Sequence, residues 1–254
     1  MYKKKIYKNK LFPYNGDADI WNKVMIDDET ISYISTPNDA DKITKIIEKH
    51  CIDNKLIPNT LNITDATAGA GGNVLSFCKK FKHVNAIEID VKRYNFLVNN
   101  LEAYNYKNAS TFCDDCHKFI YNKENQDIVF FDPPWGGKDY KNKINIRLSI
   151  GNIAVEDICI NLLKTENMYS PKIVSIKLPK NYDLLYLYKK ISDEVSHVKV
   201  FLYSLNKMNI IVLENISHSI NQLNINKLNI NQLDTNHLDN QLVPHVKQNI
   251  VVTS

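Results

Sequence analysis

The sequence predicts an α/β fold: a doubly wound sheet of mainly parallel strands that ends in an antiparallel hairpin. Strand-like and helix-like segments alternate between residues 41 and 214, which is typical of this class. Residues 128–131 are four consecutive apolar residues, the pattern of a strand buried on both faces. Two later strand-like segments are separated only by Asn206 and Lys207, so we expect them to form the hairpin.

The first predicted helix begins after Thr36, because Thr is a good N-cap residue and Pro37 suits the first helical position. Apolar residues then recur at helical spacing as far as Cys51. The further helices are predicted at residues 74–78, 92–104, 155–163 and 184–191. Strands are predicted at residues 60–64, 85–89, 110–113, 128–131, 172–178, 198–205 and 208–213.

Composition divides the chain into three regions. Residues 1–40 are a basic N-terminal extension, with five lysines among the first ten residues. Residues 41–214 are the folded domain, and residues 215–254 are an Asn-rich tail of low complexity. The tail repeats a five-residue pattern that fits neither a helix nor a strand, so we predict that it is disordered.

The overall composition excludes several classes of protein. Hydrophobic residues make up 44% of the 254-residue chain and charged residues 24%, which are globular values and exclude a wholly disordered chain. No apolar run approaches the roughly 18 residues of a membrane span, and no apolar segment follows the Lys-rich start. Five scattered cysteines favour a reducing compartment. We therefore expect a soluble intracellular monomer, in the cytoplasm or the nucleus.

A glycine-rich segment, DATAGAGGN at residues 65–73, joins a predicted strand to a predicted helix. Glycines let a backbone approach a ligand closely, and a helix N-terminus carries a partial positive charge. Glu88 follows the next strand, where a carboxylate can bind both hydroxyls of a ribose. Asp115 follows the third strand, where it can accept a hydrogen bond from an adenine amino group. These positions fit S-adenosylmethionine (AdoMet) or a dinucleotide, and the lack of a G-x-G-x-x-G motif favours AdoMet.

The sequence DPPWGG at residues 132–137 directly follows the predicted buried strand. Two prolines stiffen the turn and remove two backbone donors, so the carboxylate of Asp132 and the neighbouring carbonyls form a pocket of acceptors. Such a pocket suits an exocyclic amino group, and Trp135 offers a face for a base to stack on. Cys113, Cys116 and His117 have a spacing found in zinc sites, but no second pair of ligands follows, so we predict no metal.

These motifs resemble those of the trimethylguanosine synthase family, the RNA cap guanine-N2 methyltransferases. The resemblance covers roughly residues 20–214, and it rests on four segments: YISTP at 33–37, DATAGAGGN at 65–73, AIEID at 86–90 and DPPWGGKDY at 132–140. It implies a Rossmann-like class I AdoMet-dependent methyltransferase fold. The implied reaction is methyl transfer to the N2 amine of the 7-methylguanosine cap of RNA, giving 2,7-dimethyl or 2,2,7-trimethylguanosine caps.

The resemblance also implies that the extension, residues 1–40, forms a lobe of the cap site, and it implies residue roles. The cofactor-binding set is Tyr33, Thr36, Asp65, Ala68, Gly69, Gly71, Glu88, Asp115 and Asp132. The catalytic set is Asp132, Pro133 and Trp135, and the substrate-binding set is Trp135, Tyr140, Lys180 and Asn206. Lys180 stands where the family usually has Arg, so it would meet the cap phosphates as a point charge.

One departure from the family's pattern leaves the substrate base open. The family's usual Ser before Pro-Pro-Trp is Asp132 here, as in methyltransferases that act on the amino group of adenine in DNA or RNA. An adenine-N6 methyltransferase is therefore the alternative, and a cap-binding module without activity is another. The Lys-, Asn- and Ile-rich composition suggests an AT-rich genome such as that of a giant virus, in which case the protein would act in the host cytoplasm.

Overall fold

The computed structural model describes residues 8–121, 126–164, 169–217 and 251–253. Most of the predicted disordered tail, and the first seven residues of the basic extension, lie outside these described residues. The helices are α1 Lys8–Leu11, α2 Ile20–Lys23, α3 Pro37–Asp53, α4 Gly72–Phe77, α5 Val91–Ala103, α6 Cys116–Ile120, α7 Val155–Leu163 and α8 Leu184–Glu194. The strands are β1 Asn62–Asp65, β2 His83–Ile87, β3 Ala109–Phe112, β4 Ile128–Phe131, β5 Ser149–Ile150, β6 Ile153–Ala154, β7 Ile173–Pro179, β8 Val198–Ser204, β9 Met208–Asn215 and β10 Val251–Thr253.

Eight strands form one sheet in the order β10-β8-β9-β7-β4-β1-β2-β3. Strands β3, β2, β1, β4 and β7 are parallel to one another, whereas β9 is antiparallel to both β7 and β8. The predicted hairpin is thus confirmed as β8–β9. The strand order reverses direction between β1 and β4, the kind of position at which open α/β sheets bind ligands.

Helices cover both faces of the sheet, because alternate residues of the central strands belong to two separate cores. In β4, Phe130 packs into one core and Phe131 into the other, and all four β4 residues are buried. The first core is completed by residues of α3, α4 and α5, and the second by residues of α6, α7 and α8. Burial on both sides explains the continuous apolar run of β4.

Some boundaries differ from the predicted ones. Strand β1 begins at Asn62 because Pro58–Thr60 form a 3₁₀ turn, and β2 ends at Ile87, before the backbone turns at Glu88. Helix α6 and the short β5–β6 hairpin had no clear signal in the sequence. Helix α6 has five residues, and β5 and β6 have two residues each, which is too short for a periodic pattern of apolar residues.

The described part of the N-terminal extension packs against the domain. Phe12, Ile20 and Val24 are fully buried in the first core. Asn100 of α5 is fully buried as well, accepts a hydrogen bond from the Met25 amide at 2.7 Å, and donates to the carbonyls of Met25 and Ala70. One side chain therefore joins the extension to the glycine-rich turn. Within the ranges that the structure describes, no helix has the length and apolar character needed to cross a membrane.

Candidate active site

The candidate site lies at the carboxyl ends of β1 and β4, where the strand order reverses. Asp65 is the last residue of β1, and Asp132 directly follows β4. The two strands are paired, with Asp65 opposite Phe130, so the glycine-rich segment and the DPPWGG motif emerge side by side. Thr67 joins them directly, because its hydroxyl accepts a hydrogen bond from the Asp132 amide at 2.7 Å.

The glycine turn requires its glycines for conformation and for space. Gly69 and Gly71 have φ angles of 55° and 95°, in the left-handed region that other residues rarely adopt. At Gly72, a Cβ would lie 2.8 Å from the backbone carbonyl of Ser35 and 2.8 Å from the Ile34 side chain. Gly72 therefore lets residues 34–35 approach the first residue of α4, and this contact brings the YISTP segment to the site.

Glu88 is buried and organises the same turn. One of its carboxylate oxygens accepts a hydrogen bond from the Gly69 amide at 2.8 Å, and the other accepts from the Asp90 amide at 2.9 Å. Each carboxylate oxygen can accept more than one hydrogen bond, so these contacts leave capacity for a ligand's hydroxyl groups. Arg93 lies 4.0 Å from Glu88 and 5.2 Å from the centre of the Tyr33 ring, which is exposed at this edge.

Asp65 is fully buried, and its two oxygens have different surroundings. Oδ1 accepts a hydrogen bond from the Thr67 amide at 3.2 Å, whereas Oδ2 has no hydrogen-bond partner among the residues that the structure describes. Burial raises the pKa of the Asp65 carboxyl to about 8, because little around it offsets the lost hydration of the anion. An unpartnered acid beside the glycine turn fits the ammonium group of an amino-acid ligand such as the methionine part of AdoMet.

Asp132 forms a buried ion pair that the sequence analysis missed. Nζ of Lys177, on β7, donates to Asp132 Oδ2 at 2.6 Å and to Ser35 Oγ at 2.8 Å. The two charged side chains are only 9% and 12% exposed. Burial raises the pKa of Asp132, and Lys177 opposes that rise. A single lysine within a strand that has no other charged residue was the available signal, because a buried cation requires an anionic partner.

Trp135 lies between the ion pair and a cavity. Lys177 Nζ is 5.4 Å from the centre of the indole ring, and the Tyr140 ring meets the indole edge to face with centroids 5.2 Å apart. The indole Nε1 is buried and has no partner in the described parts of the chain. A cavity of about 520 Å³ adjoins the indole; its lining residues are Trp135, Gly136, Lys143, Ile144, Ile146, Arg147 and Leu148.

Several predicted residues have local structural contacts at the rim. Thr36 caps α3 by accepting from the Asp39 amide at 3.3 Å, and Asp115 caps α6 by accepting from the His117 amide at 3.0 Å. Ala68 is buried in the glycine turn, where its carbonyl accepts from the Gly71 amide at 2.9 Å. Pro133 is buried between Asp132 and an exposed second proline.

The other predicted substrate-binding residues lie apart from one another. Tyr140 is held next to Trp135, and its carbonyl accepts from the Asn181 side chain at 2.7 Å. Lys180 is exposed and donates to the Ser204 hydroxyl at the end of β8, and Asn206 is exposed in the β8–β9 turn. Of the residues with zinc-like spacing, Cys116 and His117 have potential ligand atoms within 4.8 Å of each other and of Asp115, a group that does not include Cys113.

The strand order and the acidic residues at the strand ends define a Rossmann-like AdoMet-dependent methyltransferase of class I, and the predicted fold class is confirmed. The fold is similar to that of precorrin-6y C5,15-methyltransferase from Geobacter metallireducens GS-15, with a TM-score of 0.52 and 12% identity. That match covers 76% of this chain and 94% of the other.

Within this class, the chain belongs to the RNA cap guanine-N2 methyltransferase family, whose model matches residues 60–243. It is 40% identical to protein L320 of Acanthamoeba polyphaga mimivirus over 82% of this chain and 85% of that protein. It is 32% identical to the trimethylguanosine synthase of Schizosaccharomyces pombe, over 60% of this chain and 62% of the yeast protein. The chain thus aligns with somewhat less than two thirds of the yeast enzyme.

The family confirms three predictions. The resemblance to trimethylguanosine synthases is correct, the protein is an RNA cap guanine-N2 methyltransferase, and its cofactor is AdoMet. The acceptor is therefore RNA. The orphaned oxygen of Asp65, the acceptor capacity of Glu88 and the glycine turn fit this cofactor.

Proposed function

We propose that the protein transfers a methyl group to the exocyclic N2 amine of a 7-methylguanosine RNA cap, giving a 2,7-dimethylguanosine cap and, after a second transfer, a 2,2,7-trimethylguanosine cap. The observation that best supports this function is the arrangement of Asp132, Lys177 and Trp135. It places an oriented carboxylate next to an aromatic face and a cavity. The cavity volume of about 520 Å³ lies within the range of small-molecule sites.

Trp135 would hold the base by stacking. A 7-methylguanine ring is cationic, so an indole face attracts it more strongly than an unmethylated guanine, by about 1–2 kcal/mol when water is excluded. Lys177 already approaches the indole with a positive charge 5.4 Å from the ring centre. Two cations repel each other at such distances, but the Asp132 carboxylate, 2.6 Å from Lys177 Nζ, offsets this charge and allows the base to stack within reach of Asp132.

Asp132 would orient the amine. Pro133 and Pro134 have no backbone N–H, so this turn presents acceptors to the two amine hydrogens and directs the nitrogen lone pair. AdoMet, when bound, supplies a methyl group that its sulfonium already activates. The chain therefore needs only to position the amine and to accept its proton as the N–C bond forms, and Asp132 is the acceptor in reach.

Each proposed cofactor-binding residue would contact a different chemical group of AdoMet. Asp65 would receive the ammonium of the methionine part through its unpartnered oxygen, and Glu88 the ribose hydroxyls. Asp115 would accept from the adenine amino group. Tyr33 stands at the open edge, and the glycine turn, with Gly69 and Gly71, admits the cofactor backbone closely. Thr36 and Ala68 would contribute through the backbone they hold in place.

Tyr140, Lys180 and Asn206 are the proposed contacts to the rest of the cap. Tyr140 braces the indole of Trp135 from its edge. Lys180 and Asn206 lie towards the β8–β9 hairpin, where Lys180 would have to exchange its Ser204 contact for a phosphate. We also propose that the protein acts as a monomer, in the host cytoplasm if it is virus-encoded like its mimivirus relative.

The test uses labelled AdoMet with the cap dinucleotides m7GpppA and GpppA, and resolves the products by mass. A gain of one or two methyl groups on m7GpppA alone supports the proposal, and equal turnover of both would refute the role of the 7-methyl group. Trp135→Phe should raise KM for m7GpppA, whereas Trp21→Phe, at the other tryptophan, should not. Transfer to an adenine oligonucleotide and not to either cap would favour the adenine-N6 alternative.

A further inference from the structure

The segment 143–148 forms a hydrogen-bonded wall beside Trp135. The Ile146 amide donates to the Asn181 carbonyl at 3.0 Å, and the Asp183 amide donates to the Ile146 carbonyl at 3.0 Å. The Asn181 side chain also donates to the Lys143 carbonyl at 2.6 Å. This wall lines the cavity and is joined by these hydrogen bonds to Asp183, the N-cap residue of α8.

Arg147 is held in a preorganised position on this wall. Its guanidinium carbon lies 3.4 Å from the centre of the Tyr186 ring, a stacked arrangement, and its Nη2 is 3.4 Å from Asp183 Oδ2. The Arg147 side chain nevertheless remains 52% exposed. Stacking covers one plane of the guanidinium, so the opposite plane and several N–H donors stay available to a ligand.

The surroundings of this stack include two paired carboxylates, Asp183 and Asp157, one further cation and an exposed apolar side chain. Lys143 is exposed on the same wall, and no ion pair to it is found within the described ranges. Lys190 lies 5.9 Å from the Tyr186 ring centre, but Asp157 neutralises it. Ile144, which also lines the cavity, is 86% exposed. Proteins that recognise single-stranded RNA combine positive charge with planar groups, including Arg guanidinium planes, on which bases stack.

We propose that the stacked pair of Arg147 and Tyr186 binds the RNA chain that follows the cap, with a nucleobase on the free guanidinium plane and Lys143 near a phosphate. The proposal rests on the proposed function, because the chain is placed by a cap base at Trp135. It adds a specificity: the enzyme distinguishes a capped RNA from a free cap nucleotide. An acidic peptide would find Arg147 and Lys143 too, but it has no base to stack.

The test compares kcat/KM for the dinucleotide m7GpppG and for a single-stranded RNA of about ten nucleotides with the same cap. The wild-type ratio, RNA over dinucleotide, should be about 10 or more, the size of one base-stacking contact. Arg147→Gln should reduce this ratio towards one. Arg147→Lys should reduce it as well, because Lys keeps the charge but cannot stack.

The matched control is Lys82→Gln, which removes an exposed positive charge at the amino end of β2, whereas the candidate site lies at the carboxyl ends of the strands, and it should leave the ratio unchanged. A wild-type ratio near one, or an Arg147→Lys ratio as high as that of the wild type, would overturn the stacking proposal without contradicting methyl transfer to the cap. Equal losses on both substrates in Arg147→Gln would assign Arg147 to the cap itself and also overturn it. Absence of transfer to either substrate would refute the proposed function instead.

Discussion

Replacing Lys177 by Met removes the positive partner of Asp132 while keeping a side chain of similar length in β7. The two side chains are 9% and 12% exposed, so Asp132 would remain in a site that water hardly reaches. Removing one partner of a buried ion pair costs about 3–5 kcal/mol in the free energy of unfolding, because an uncompensated charge remains. Asp132 can reduce this cost only by taking up a proton.

The cost should therefore depend on pH. Burial raises the pKa of Asp132 above its ordinary value of 3.8 and Lys177 opposes that rise, so the pKa should rise further in Lys177→Met. A carboxyl whose pKa is higher in the folded state stabilises the fold at low pH, and this contribution is lost as pH increases through the folded pKa. The variant should thus lose up to about 1.4 kcal/mol per pH unit relative to wild type, in the pH interval that begins above the ordinary carboxyl pKa of 3.8.

The assay is urea unfolding at three pH values in that interval, followed by methyl-transfer kinetics. The control Lys172→Met breaks the ion pair between Lys172 and Asp127 at the opposite end of β7. That lysine is 35% exposed, so we expect a loss of no more than about 1 kcal/mol and little dependence on pH. Asp132→Asn combined with Lys177→Met removes both charges and should restore most of the stability.

Measuring kcat distinguishes an effect on folding stability from an effect on catalysis. Lys177→Met should lower kcat about 100-fold, because a protonated or displaced Asp132 no longer accepts from the amine. The double variant should regain stability without regaining kcat. If Lys177→Met unfolds with the wild-type free energy at every pH and keeps its kcat, the reasoning that assigns Asp132 a buried, ionised and lysine-oriented state is refuted.

Three further predictions concern the cofactor side of the site. Because burial raises the pKa of Asp65 to about 8 and the ammonium of AdoMet needs the ionised carboxylate, AdoMet should bind about tenfold more tightly per pH unit between about pH 6 and pH 8. Calorimetry should show that this pH dependence disappears in Asp65→Asn, and a pH-independent affinity of the wild type would contradict the prediction. Gly72→Ala should cost about 1–3 kcal/mol in urea unfolding and weaken AdoMet binding, since its Cβ would lie 2.8 Å from the Ser35 carbonyl; an unchanged unfolding curve would contradict this. Asn100→Ala should cost about 2–3 kcal/mol and also weaken AdoMet binding, because it leaves the Met25 amide and the Ala70 carbonyl unpaired behind the glycine turn. Asn95→Ala, at an exposed position of the same helix, is its control and should change neither quantity.

Local patterns were sufficient for most of the fold. The apolar run of β4, the Thr36-Pro37 start of α3 and the two-residue turn of the β8–β9 hairpin are each encoded within a few neighbouring residues. The motifs of the site were readable for the same reason, because glycines and prolines restrict the backbone where they stand. Boundaries such as the start of β1 shifted, because they depend on which backbone groups find partners in the next strand.

The sequence by itself determined the class of fold, the family and the order in which Asp65, Glu88 and Asp132 follow their strands. Only the tertiary structure decided which side chains meet. Lys177 pairs with Asp132 across 45 residues, and Asn100 joins the extension to the glycine turn across 75 residues to Met25 and 30 to Ala70. Partners so far apart carry no local period, and the cost of burying them unpaired is incurred only once the strands and helices have packed.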